Sequence, residues 1–230
     1  MFYRSPSAIV VAADGPIKTW PNLRGRRLVG HPTDVARCTF PAYLGVTTLK
    51  PESVTVEEVS PDAAGMGALI QDMLAGKSDG VFGYHSTQAA AAATLGIDPA
   101  RLHYLRYAEV VTDLYGSALM ASPSMVKSHP DDLRRIVRAF SRGVIDANRD
   151  RKDAVKAVMA RDANLRAEIE LMRLSDTLGN EMNTDVRALS GIGDVKQDRL
   201  ARSIAMMVKT KGLPKTPATR AIFTSAFLPP

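Results

Sequence analysis

The chain of 230 residues has one cysteine, Cys38, and one tryptophan, Trp20. A lone cysteine cannot form an internal disulfide and rules out a cysteine-rich zinc site. The four histidines, His31, His85, His103 and His129, stand at no metal-ligand spacing, so no metal is expected. No apolar run approaches the ~18 residues needed to span a membrane. The opening "MFYRSPSAIVVAADG" has one Arg before a short apolar run, Ala8–Ala13, too little for a secretory leader. Its β-branched Ile9, Val10 and Val11, followed by Asp14-Gly15-Pro16, instead predict a buried strand and a turn. There is no phosphate loop. "GIGDVK" at Gly191–Lys196 has half of a dinucleotide fingerprint, but no strand precedes it and the third glycine is missing. It is expected to be a helix–helix turn. Ser117 and Ser122 lack a nucleophile-elbow context. No cofactor is expected, and nothing in the spacing supports a catalytic pair, which weighs against an enzyme.

Hydrophobic residues make up 45% of the chain and charged residues 23%, enough for one large domain or two small lobes with real cores. The net charge of +6 raises nucleic acid as a partner. Yet the basic residues are interleaved with acids, as in "HPDDLRRIVRAFSRG", which is the pattern of solvated helix faces. No nucleic-acid partner is expected.

From Asp14 to about Tyr107, strand and helix signals alternate. Strands are expected at Arg26–His31, Val54–Val59, Gly80–Tyr84 and Leu102–Tyr107. Between them, helices are expected at Asp34–Leu44, from Ser60-Pro61 to Ala75, and at Ser86–Leu95. This order implies an α/β unit with a mostly parallel sheet and helices on both faces. After Tyr115 the pattern changes. Gly116–Ala121 has the pattern of one more strand, and the rest is almost purely helical. In Asp131–Asn148, Leu133, Ile136, Val137, Phe140 and Val144 form one apolar stripe. Helical signals continue over Asp153–Arg161, Leu165–Leu178 and Lys196–Val208. These stripes need a surface to cover, and this half offers little sheet. The completing layer is expected to be missing or supplied by another chain, leaving faces that favour self-association.

In open parallel sheets, ligands sit outside the carboxyl ends of the strands. Three loops there carry chemistry. "HPTD" offers Pro32, Thr33 and Asp34 at a helix start, where an anion or carbonyl could be held, with helix capping as the competing role. "GYHS" offers Tyr84 and His85. "AEVVTDLYG" leads towards the helical half and offers Asp113 and Tyr115. A fourth loop, "SPDAAG", is a plain helix cap.

Five segments, in order, resemble the substrate-binding proteins of ABC transporters of the nitrate/sulfonate/taurine and thiamine-pyrimidine-precursor type. They are "IKTWPNLRGRRLVGHPTD", "LIQDMLAGKSDGVFGY", "LRYAEVVTDLYGSALMASPSMVKSHPDDLRRIVRAFSRGV", "GIGDVKQDRLARSI" and "IFTSAFLP". The resemblance implies a type II periplasmic-binding-protein fold, a two-lobed clamshell closing on a small molecule. It implies ligand contacts at Pro32, Thr33, Asp34, Tyr84, Asp113 and Tyr115, a membrane permease as partner, and a periplasmic location. A cytoplasmic one follows if Met1 is the true start. In domain terms, 1–13 would be a crossing strand, 14–115 a complete α/β lobe two, and 116–230 the helical remainder of lobe one. The first half of lobe one, a β-α-β-α-β segment, is expected to be absent. Two alternatives stand beside this. One is a thiamine-biosynthesis enzyme of the pyrimidine-synthase type, whose cysteine-rich motif this chain lacks. The other is a cytosolic ligand sensor completed by a partner chain.

Overall fold

The computed structural model describes residues 2–47, 49–60, 65–182 and 192–229. The chain divides into two compact units. One is an α/β unit, Pro6–Thr112; the other is a helical unit formed by Met1–Ser5 with Asp113–Pro230.

The α/β unit has a single sheet of five strands: β1 (Ser7–Ala12), β2 (Arg27–Gly30), β3 (Thr55–Glu58), β4 (Gly80–Tyr84) and β5 (Leu102–Arg106), in the spatial order β3-β2-β4-β1-β5. β2 pairs in parallel with β3 and β4, while β1 runs antiparallel to β4 and β5. Four strands therefore share one direction and β1 alone opposes them. The central strands β1 and β4 are short apolar runs, as strands covered on both faces require. Helix α1 (Val35–Leu44) covers one face: its Phe40 meets Phe82 of β4 edge to face at 5.1 Å, and both rings are buried. Helices α2 (Met66–Leu74) and α3 (His85–Thr94) cover the other face. There Val10, Val29 and Val81 of three strands pack with Leu69, Ile70, Met73 and Ala92. Each large side chain buried this way contributes roughly 1.5–3 kcal/mol.

The strands and helices fall close to the sequence pattern, with two differences. Helix α2 starts at Met66, capped by Gly65, later than Ser60-Pro61 predicts; residues 61–64 lie outside those described. β3 is exposed along its whole length, because it is an edge strand with one neighbour. Its charges, including the Arg27–Glu57 pair across to β2 at 3.7 Å, make that edge a poor template for another strand.

The helical unit contains α4 (Pro123–Ser128), α5 (Pro130–Arg149), α6 (Arg151–Met159), α7 (Ala167–Asp176), α8 (Gln197–Lys211) and the short α9 (Thr219–Ile222). α8 packs Leu200 and Ile204 with Val195, and Tyr115, Val208 and Phe223 close over them. It ends at Gly212, whose φ of 59° is the left-handed turn that glycine adopts freely. The expected strand at Gly116–Ala121 does not form. The segment makes only two backbone hydrogen bonds with Phe2, and Leu119 and Met120 face solvent. The α5 stripe is only partly covered: Leu133 is buried, whereas Ile136 and Phe140 are 49% and 42% exposed. Of "GIGDVK", Gly191 lies outside the described residues and Ile192–Gly193 form a turn.

Candidate functional site

The sheet order places a topological switch point in the α/β unit. From β2 the chain passes through α1 to β3 on one side; β4 lies on the other side of β2 and continues through α3 towards β5. α1 and α3 lie on opposite faces, so the loops after β2 and β4 diverge. In open α/β sheets, ligands bind where two adjacent strand ends send their loops apart. The register brings those ends together. Leu28 is opposite Gly80 and Val29 opposite Val81. One step on, a Cβ on Gly30 would stand 3.0 Å from that of Phe82. The loop His31–Asp34 and the strand end at Tyr84 thus share one edge of the sheet. β1 begins at the same edge, with Ser7 opposite Tyr84.

The loop after β2 is held in shape by two residues. Asp34 caps α1, its Oδ1 accepting the amide hydrogen of Arg37 at 3.1 Å. The Arg37 side chain then turns back. Its guanidinium donates to the carbonyls of His31 (3.0 Å) and Pro32 (2.5 Å) and pairs with Glu58 at the end of β3 (2.8 Å). The rigid fork of Arg can hold three acceptors at once, which Lys cannot do with the same geometry. Thr33 is exposed, and Pro32 and Asp34 are half-buried. The Sγ of Cys38 lies 3.4 Å from the Pro32 carbonyl oxygen, completing the brace.

Tyr84 ends β4, is half-buried, and is the N-cap residue of α3, which no side-chain oxygen caps. The following His85 donates its amide to the Pro6 carbonyl at 3.0 Å, and its ring meets Tyr104 edge to face at 4.4 Å. Its Nε2 lies 2.8 Å from a guanidinium nitrogen of Arg106. Arginine only donates, so Nε2 accepts and the neutral ring carries its proton on Nδ1. Beneath this, Gln88 is wholly buried and donates from Nε2 to the Val81 carbonyl at 2.8 Å.

On the α1 side, Trp20 stacks on Tyr43 at 5.2 Å and meets Tyr107 at 5.5 Å. The Tyr107 hydroxyl donates to the Ala36 carbonyl at 2.8 Å and so ties the end of β5 to the first turn of α1. Burial pushes both phenols far above the usual tyrosine range, with the neighbouring Tyr43 and then Asp34 adding to the effect at Tyr107.

The structure therefore brings Pro32, Thr33, Asp34 and Tyr84 to one edge of one unit. Asp113 and Tyr115 belong to the helical unit. There the Asp113 carboxylate accepts from Nε and Nη2 of Arg202 at 2.9 and 3.0 Å, and the Tyr115 hydroxyl accepts from the amide of Lys196 at 2.9 Å. Two residues with a part in the site are absent from the sequence-based set: Arg37, which braces the loop, and Arg106, which orients His85. A lone Arg in the first turn of a helix reads as solvated surface, and its reach back to His31 is visible only in three dimensions. Among the described residues no group of three His, Cys, Asp or Glu could hold a metal ion, and no helix is long and apolar enough to cross a membrane.

Comparison with solved structures gives the same fold at low identity. The periplasmic aliphatic sulphonate-binding protein SsuA of Escherichia coli superposes with a TM-score of 0.68 at 16% identity, over 93% of this chain and 63% of that one. SsuA of Xanthomonas axonopodis pv. citri, an alkanesulfonate-binding protein bound to MOPS, gives 0.63 at 14%, over 96% and 71%. The ligand-binding component of an ABC-type import system from Staphylococcus aureus, with zinc bound, gives 0.63 at 16%, over 98% and 70%. The chain thus spans about 63% of the length of the E. coli protein. These likenesses identify a type II periplasmic-binding-protein fold. No curated protein matches the chain. The family model described as "NMT1/THI5 like" matches residues 1–154. That match covers two thirds of the sequence, and the chain belongs to the NMT1/THI5-like family.

Proposed function

We propose that the chain is the solute-binding subunit of an ABC-type importer and that it holds a small organic molecule or anion at the carboxyl edge of its α/β unit. The observation that carries this is the switch point between β2 and β4, where a braced loop and an aromatic strand end converge. We assign ligand contacts to Pro32, Thr33, Asp34 and Tyr84. Thr33 offers a hydroxyl, the loop offers backbone groups at a helix start, and Tyr84 offers a ring face and a phenol. Asp113 and Tyr115 we assign to holding their own segment, because their polar atoms serve Arg202 and Lys196. In domain terms, the α/β unit is lobe two of a clamshell and the helical unit belongs to lobe one.

Several relatives support the ligand class by name: two are sulfonate-binding proteins, and a third is the ligand-binding component of an ABC-type import system. The same reading supplies a membrane permease as partner, a periplasmic location, and a protein that binds without catalysis. Contacts from one sheet edge predict weak binding by this chain.

Calorimetric titration with alkanesulfonates, nitrate and an aminopyrimidine tests the class. Weak saturable binding of at least one ligand, lost in Thr33→Val with Tyr84→Ala, is the expected result. Product formation from a thiamine-pyrimidine precursor by the chain alone would overturn it.

A further inference from the structure

The net charge of +6 is not spread along the chain. From Arg199 onward there are six Lys and Arg and no Asp or Glu, so the residues before Arg199 balance to zero. Two of the six serve the helical unit itself. Arg199 is 6% exposed and donates to the carbonyls of Tyr3, Asp113 and Leu114. Arg202 pairs with Asp113 and Asp198. The other four, Lys209, Lys211, Lys215 and Arg220, are exposed. Among the described residues, Lys209, Lys215 and Arg220 make no ion pair.

These four cations sit on a hairpin that is held in place. α8 ends at Gly212, the Leu213 amide donates back to the Val208 carbonyl at 3.0 Å, and the chain returns so that α9 packs against α8. Phe223 then joins the cluster of Leu200 and Ile204. Beyond it, the Phe227 ring lies 5.7 Å from the guanidinium carbon of Arg134 on α5. Between these anchors two large aliphatic side chains stay in solvent: Leu213 is 51% exposed and Ile222 54%. Leu213 stands between Lys211 and Lys215 in the sequence, and Ile222 follows Arg220 by two.

This mixture discriminates between anionic partners. Nucleic acids favour arginine forks on phosphate and rings that stack on bases. Here three of the four cations are lysines, and the apolar side chains among them are aliphatic. An anionic bilayer suits both kinds of residue. Ammonium groups stay among the headgroups on flexible stems, while aliphatic side chains sink below them.

We propose that the hairpin 209–222 is a docking surface for an anionic lipid bilayer. Lys209, Lys211, Lys215 and Arg220 meet the headgroups, and Leu213 and Ile222 enter the acyl boundary. The surface belongs to the helical unit alone, so the proposal stands or falls separately from what the α/β unit binds.

The test is cosedimentation of the whole chain with vesicles of phosphatidylcholine, and with vesicles of phosphatidylcholine mixed with phosphatidylglycerol. The parent should bind the mixed vesicles only, and less as salt rises, because exposed charges are screened beyond ~10 Å at 0.1 M. Each cation near such a surface is worth roughly fivefold in partition coefficient. The combined variant Lys209→Gln, Lys215→Gln and Arg220→Gln should therefore bind roughly a hundredfold more weakly. Its circular dichroism and thermal midpoint should match the parent's, since the three side chains are exposed. Leu213→Ser with Ile222→Ser should weaken binding about tenfold and leave its salt dependence unchanged. No binding by the parent, equal binding to both vesicle types, or a Gln variant within about twofold of the parent would overturn the proposal. So would a Ser variant equal to the parent. Binding to poly(U) RNA or polyglutamate without binding to vesicles would overturn it too, and would assign the surface to a soluble polyanion.

Discussion

The loop His31–Asp34 is shaped by Arg37, and this can be put to a number. Arg37 makes two hydrogen bonds to carbonyls and one ion pair to Glu58, with its own side chain 18% exposed and that of Glu58 56% exposed. An exposed ion pair contributes ~0.2–1 kcal/mol, and the openness of Glu58 puts this one at the lower end. The two carbonyl bonds from a largely buried cation add roughly 2 kcal/mol in net terms. Arg37→Met keeps most of the apolar stem and should cost about 2 kcal/mol. Glu58→Gln should cost about 0.5 kcal/mol or less. For a unit of this size, 1 kcal/mol shifts the midpoint by ~4–8 °C, so Arg37→Met should lower it by roughly 10 °C and Glu58→Gln by a few degrees. The assay is built into the protein. Trp20 is the only tryptophan and stacks on Tyr43 within the α/β unit, so its fluorescence follows that unit alone. Equal shifts for the two variants, both of a few degrees, would show that the carbonyl bonds do not hold the loop and would refute the reasoning.

Two further outcomes follow from buried and crowded positions. The folded-state phenols of Tyr43 and Tyr107 are raised by burial, so their contribution to stability is fully present below pH 10.0, the ordinary tyrosine value, and declines as pH rises beyond it. In an ultraviolet titration, two of the six tyrosines should ionise only as Trp20 fluorescence reports unfolding; six ionising together near the ordinary value would contradict the packing. In the helical unit, a Cβ on Gly116 would run into the carbonyl oxygen of Arg4, so Gly116→Ala should cost ~1–3 kcal/mol and speed exchange at the Phe2 amide. A neutral effect would mean that the two segments are not in contact.

Most strands of the α/β unit are legible in the sequence because each is an apolar run stopped by punctuation. "GVFGY" sits between Asp79 and the helix of alanines, and "RLVG" between two charged or turn residues. The run "SAIVVA" is legible as a strand but not in its direction. That β1 opposes its neighbours depends on which strands it slots between, and a one-dimensional pattern does not carry this. "GSALMA" misleads because apolar character alone resembles a strand; its Met120 is 95% exposed. The edge carrying Pro32, Thr33, Asp34 and Tyr84 is legible because ligand loops follow strand ends in this architecture, whatever the ligand. Arg37 was not, since its role depends on reaching backward over its own helix start. The importance of "TDLYG" is visible, but its partners are Lys196 and residues of α8, 81 or more residues away, and spacing cannot join them. The apolar stripe of α5 predicts a surface to cover, and Ile136 and Phe140 remain half in solvent in the structure.

The central claim is that small molecules are held at the β2–β4 edge of the α/β unit. The most direct measurement is amide chemical-shift mapping of the whole 230-residue chain during titration with an alkanesulfonate, with nitrate and an aminopyrimidine in parallel. The account predicts saturable shifts for at least one ligand at Thr33, Asp34, Tyr84 and His85, with the amides of α5 and α6 unmoved. Shifts confined to the helical unit, or none at any concentration for all three ligands, would contradict it.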